Sequence, residues 1–225
     1  VAAVALLFVL PVREPSHPPR RPSRGGISRL ITRRDVLVPS LLAAVSQYAN
    51  WAITFSFMPI LAEHLGATDI TLSLLPSMHI GVVTAMTLVT ATVVARVGAR
   101  RLVYATFLLV SCGIGLGALA PSLVWVFVAQ FCLGVAQGLG YPVLMGLSIR
   151  DVDDVERTTA MGLHQSVYAI GMFAGPWLGG LLADALGLRP MFGVTAAACV
   201  VAATLLVRLL PDLSQSTPRN SGSSP

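Results

Sequence analysis

The sequence predicts an all-α integral membrane protein built as a six-transmembrane-helix bundle, and three observations predict it. Hydrophobic residues make up 55% of the 225 and charged residues only 11%, with a mean hydropathy of +0.77. A water-facing surface carries about a quarter charged residues, so a soluble enzyme is excluded, as is disorder over most of the length. Six apolar stretches fall at about 36–60, 71–95, 102–120, 123–149, 159–183 and 190–210. Each can cross a hydrocarbon core of about 30 Å as a helix, which satisfies its own backbone in lipid. Finally, the basic residues alternate from loop to loop, which counts the crossings independently of hydropathy.

Taken in order, residues 1–11 are apolar up to Pro11 and lack the charged start and small-residue cleavage site of a signal peptide. They read as the end of a truncated preceding transmembrane helix, so the chain is expected to be a fragment. Residues 12–35 are rich in Pro, Arg and Ser and read as a flexible, basic cytoplasmic loop. The six stretches then occupy 36–210, joined by connections short enough to force antiparallel hairpins, and 211–225 reads as a disordered cytoplasmic tail.

All fifteen basic residues are arginine. One side of the predicted bundle collects Arg13, Arg20, Arg21, Arg24, Arg29, Arg33 and Arg34, then Arg96, Arg100 and Arg101, then Arg150 and Arg157, and lastly Arg208 and Arg219. The other side has Arg189 alone. The positive-inside rule places the rich side, and both ends of the chain, in the cytoplasm of a multi-pass protein of the cell inner (plasma) membrane. Arginines scattered over separate loops form no shared face, which excludes a nucleic-acid partner. Cys112, Cys132 and Cys199 sit in apolar runs as small buried hydrophobes, with neither disulfide nor metal spacing, and no cofactor is implied. No hydrolase signature accompanies the histidines, so no enzyme is predicted.

Polar groups inside a bilayer are costly and are the default site candidates. No Asp, Glu or Arg lies deep in a span. In the first stretch Gln47, Asn50 and Thr54 share one helical face, and in the fourth Gln130, Gly134, Gln137 and Tyr141 do the same. His79 and His164 are the titratable groups nearest mid-membrane and could carry a proton. His164 shares its face with Tyr168, Gly171 and Gly175 and reads as a packing residue; His79 stays open as a cavity residue. The acidic cluster Asp151, Asp153, Asp154 and Glu156 lies on the same side as Arg96, Arg100 and Arg101, and is expected to pair with them when a cytoplasmic gate is closed.

Two motifs carry a resemblance. Gly171-x-x-x-Gly175-Pro176-x-x-Gly179-Gly180 is a strip of small residues for close helix approach, interrupted by a proline bend. It is similar at every fixed position to the G-x-x-x-G-P-x-x-G-G pattern of the major facilitator superfamily. The loop with Arg96, Gly98, Arg100 and Arg101 resembles that family's G-x-x-x-D-R-x-G-R-R, although Ala91, Ala95 and Ala99 replace its first Gly, its Asp and its ninth residue. The resemblance implies half of a twelve-helix transporter that moves solute by alternating access. The helix remnant with its basic loop, Gln130 where an antiporter's fourth span carries an embedded Arg, and the short tail together imply the C-terminal half, spans seven to twelve. The glycine–proline pattern, with Gly113, Gly115 and Gly117, implies proton-coupled efflux of a small organic solute, as in a drug antiporter. Its partners would be the solute, H+, the lipid bilayer and the missing N-terminal half, which would hold the proton carrier. Uptake of a sugar or metabolite, or a non-transporting six-span scaffold, are the alternatives.

Overall fold

The computed structural model describes residues 24–210, and among these every regular element is helical. A short helix α1 (Arg24–Thr32) precedes the first span, which is assembled from α2 (Arg34–Ala49), a π-helical segment (Asn50–Phe57) and α3 (Met58–His64). The remaining five spans are α4 (Asp69–Val97), α5 (Ala99–Leu119), α6 (Leu123–Ile149), α7 (Asp154–Leu186) and α8 (Leu188–Leu206), the last continued by a 3-10 turn, Val207–Leu209. All six are long and apolar enough to cross a membrane. The segments expected at 1–11 and 211–225, and 12–23 of the basic loop, lie outside the described residues.

The basic segment departs from expectation at its end. Residues 24–32, read as loop, form α1, because Leu30 packs with Val36, Val152 and Ala160 into a small apolar cluster of its own. Arg29 pairs with Glu156 at 3.8 Å, and Arg33 donates to the Asp151 carbonyl at 2.7 Å, so α1 and its junction lie over the loop between α6 and α7. Arg33 also forks onto Asp35, and this pairing raises its already high pKa. Composition hid the helix: its apolar residues are few, and of the residues Leu30 packs against only Val36 is near in the chain, Val152 and Ala160 lying over a hundred residues away.

The connections are tighter than the hydropathy pattern implied. One residue, Gly98, joins α4 to α5, and one, Gly187, joins α7 to α8. Gly98 has φ +86° and ψ 144°, a conformation a side chain resists, so the glycine of the Arg96–Arg101 segment is needed for the reversal itself. At the opposite end Arg189 donates to the carbonyls of Ala118 and Ala120 at 2.9 and 2.8 Å. It thereby satisfies acceptors that the end of α5 leaves open and places positive charge against that helix's negative pole.

The first span and α6 form the centre. The first span packs on α7 as α6 packs on α4, while α5 lies against α6 and α8. The outermost helices, α4 and α7, are the least buried. The core runs through Leu42, Ile53, Met58, Phe107, Ile114, Leu133 and Phe192. Of the three cysteines only Cys199 is buried; Cys112 is exposed on a helix surface and Cys132 is half-buried, which corrects the expectation for these two.

Candidate functional site

Close approach between helices positions everything else. A Cβ added at Gly171 would fall on the Ala44 carbonyl, and one at Gly175 would lie 2.8 Å from the Tyr48 carbonyl oxygen. At Gly179 it would meet the Phe57 ring at 2.8 Å, whereas at Gly180 the nearest atom is 4.0 Å away. Three glycines of the motif therefore face the first span; Gly180 is set back, and Pro176 points to the exposed side of α7. His164 belongs to the same contact. It is fully buried, with Nδ1 3.1 Å from Ser40 Oγ, and Ser40 donates its one hydroxyl proton to the Val36 carbonyl at 2.6 Å. The imidazole is then the donor to Ser40, and its Nε2 is buried without a partner among the described residues, so His164 sits inside the helix contact it shares with Gly171 and Gly175.

The two polar stripes do face one another, but they divide into two environments. Gln137 and Tyr141 on α6 are half-buried, with Ser46 Oγ donating to Gln137 Oε1 at 3.3 Å. Gln165 Nε2 donates to Tyr141 Oη at 2.8 Å, and the rings of Tyr141 and Tyr168 lie 5.5 Å apart. Asn50, one turn beyond Ser46, is also half-buried. These side chains make an uncharged patch of amides, hydroxyls and phenols, open on one side, where the first span, α6 and α7 converge.

The other stripe residues do not line an opening. Gln47, Thr54, His79 and Gln130 are each at most 2% exposed, and they lie between helices. Gln130 Nε2 donates to the main-chain carbonyl of Thr54 at 3.3 Å, and Phe55 stacks edge-on against His79 with ring centres 5.7 Å apart. Gln47 Oε1, Thr54 Oγ1, His79 Nδ1 and Gln130 Oε1 have no hydrogen-bond partner among the described residues. Helical spacing put Gln130 and Gln137 on one face correctly. It did not show that α4 crosses over the half of that face holding Gln130 and covers it. Gln165 was not singled out because it belongs to no stripe, and Tyr168 was placed on the packing face of His164, although a glutamine three residues before a tyrosine inside a span was a readable signal.

At the arginine-rich end the acidic cluster is taken up locally. Asp154 pairs with Arg157 at 3.0 Å, Asp151 with Arg150 at 3.0 Å, and Glu156 with Arg29. Asp153 is exposed at the start of α7, and these ion pairs do not involve Arg96, Arg100 or Arg101. A groove of about 690 Å³ runs between α4 and α6 at this end, lined chiefly by apolar residues such as Val94 and Leu147 with Arg150 at its rim. No group of three or more metal-ligating side chains occurs among the described residues.

Membrane helices in which prolines free carbonyls need other donors, and two such carbonyls are served here from a neighbouring span. Gly138, four residues before Pro142, accepts from Thr87 Oγ1 at 3.3 Å and lies 3.0 Å from Thr90 Oγ1, whose single proton it shares with the Met86 carbonyl at 2.8 Å; both threonines are on α4. Thr54, five residues before Pro59, accepts from Gln130.

A family model described as Major Facilitator Superfamily matches residues 40–225, which include nearly all of the six spans and both motifs. By that match over most of its length, the chain belongs to the Major Facilitator Superfamily of membrane transporters.

Proposed function

We propose that this chain is the C-terminal half, spans seven to twelve, of a transporter that exports a small organic solute by alternating access, driven by a proton gradient. Its arginine-rich end and both termini would face the cytoplasm across the plasma membrane. The observation that carries the solute site is the partly exposed patch of Asn50, Gln137, Tyr141, Gln165 and Tyr168, backed by the buried Ser46, the place where hydrogen-bonding side chains meet at the bundle surface. It offers amide and phenol contacts and two aromatic faces but no charge, which fits a neutral, partly aromatic solute held by hydrogen bonds and stacking. No carboxylate lies in this patch, so proton binding is assigned to the N-terminal half.

The second reading, uptake of a sugar or metabolite, uses the same patch and differs in direction and coupling. Full-length protein in proteoliposomes under an imposed pH gradient separates them. Export predicts solute movement opposite to the proton gradient, and Tyr141→Ala and Gln137→Ala should each raise KM about five- to tenfold, the worth of one or two lost contacts. Movement along the proton gradient would favour uptake. Wild-type kinetics in both variants would remove the patch from the site.

A further inference from the structure

The break in the first span leaves one carbonyl without a main-chain donor. In the α register Thr54 would accept from the N–H of residue 58, but Met58 gives its N–H to Ile53. In the π register the donor would be residue 59, which is Pro59 and has none. A buried carbonyl in this position costs as much as a lost hydrogen bond unless something else reaches it. What reaches it is Gln130 Nε2, at 3.3 Å, from a side chain with no exposed surface.

We infer that Gln130 is a positioning residue for transport: its amide replaces the N–H that Pro59 lacks, and so fixes the arm Met58–His64 against α6. Three features set this role apart from solute binding. Gln130 is enclosed, with His79 and Thr54, themselves enclosed, beside it. One of its two amide hydrogens is engaged by the protein main chain. The same solution recurs where Pro142 frees Gly138, with Thr87 as the donor and the Thr90 hydroxyl shared between Gly138 and Met86. The helix widens at Asn50–Phe57 because an α-helical Pro59 would press its ring onto the Phe55 carbonyl; the π turn relieves that clash and creates the need for Gln130. The inference rests on the transporter reading for its effect on rate, but not for the hydrogen bond itself.

A double-mutant cycle on the full-length protein tests it, using wild type, Gln130→Met, Pro59→Ala and the pair together. Thermal unfolding in detergent and initial rates in proteoliposomes, with a solute the wild type carries, are both read. Gln130→Met should lower Tm by about 3–6 °C and the maximal rate about fivefold, with KM within about twofold of wild type. In the Pro59→Ala background Thr54 regains a main-chain donor, residue 59 if the π turn persists or Met58 if the α register returns, so adding Gln130→Met should shift Tm by less than about 1 °C. Equal Tm losses in both backgrounds, or a raised KM with unchanged Tm, would overturn the inference. If the wild type moves none of the solutes offered, the transporter reading fails alone, and the thermal cycle still decides the role of Gln130.

Discussion

The contact between the first span and α7 and the contact between α6 and α4 are counterparts in the bundle, yet they are built from opposite sides. In the first, the glycines belong to the outer helix: Gly171, Gly175 and Gly179 of α7 admit the carbonyls of Ala44 and Tyr48 and the ring of Phe57. In the second, they belong to the central helix: Gly134 and Gly138 of α6 admit the carbonyls of His79 and Val83, at 3.2 and 2.6 Å from where a Cβ would sit. Both contacts press one backbone against another, as small residues permit in membranes. They differ in how the freed backbone is served. Hydroxyls of α4 reach Gly138, and α6 stays continuous from Leu123 to Ile149; in the first span the helix itself widens and a glutamine of α6 reaches in. A glycine strip therefore specifies a close neighbour, while the prolines decide which polar side chains that neighbour must bring.

The largest break in this comparison comes from the strip itself. Gly171→Leu has no room beside the Ala44 carbonyl and should leave no folded protein on size-exclusion chromatography, while Gly171→Ala should cost about 3 kcal/mol. Gly162→Ala, on the same helix with nothing within 4 Å, should unfold like the wild type. The hydroxyl pair comes next. Replacing Thr87 and Thr90 together by Val should lose about 1 kcal/mol, and that loss should shrink when Pro142→Ala restores the donor to Gly138, all measured by thermal unfolding. The smallest effect belongs to the surface: Asp154 and Arg157 are both well exposed, and Asp154→Asn should change stability by no more than about 0.5 kcal/mol. A larger loss there would mean that Asp154 has a partner beyond Arg157.

The six spans were legible because hydropathy and the arginine alternation are properties of a residue and its place in the chain. Their ends were legible only to within a few residues: Val97 and Ala99 continue their helices into what read as a loop, since a single glycine suffices to turn the chain. The pairing of the glycine strip with the first span was not readable, because spacing gives a face and not the neighbour on it. For the same reason Gln130 and Gln137, seven residues apart, looked alike and have different surroundings. Pro59 was the overlooked sign, since a proline near the end of a membrane helix frees a carbonyl that some side chain must serve. The helix α1 depends on Val152 and Ala160, and the local composition of 24–32 carries no trace of them.

The division of the polar stripes into an open patch and an enclosed node is the central claim, and accessibility tests it most directly. With Cys112, Cys132 and Cys199 replaced by alanine in the full-length protein, single variants Gln137→Cys, Tyr141→Cys and Gln130→Cys would be exposed to a membrane-impermeant, water-borne thiol reagent. The account predicts labelling at 137 and 141, slowed by a transported solute, and labelling at 130 at least about tenfold slower, since an enclosed side chain reacts only through local opening. Labelling at 130 as fast as at 137 would contradict it, and would return Gln130 to the wall of the cavity.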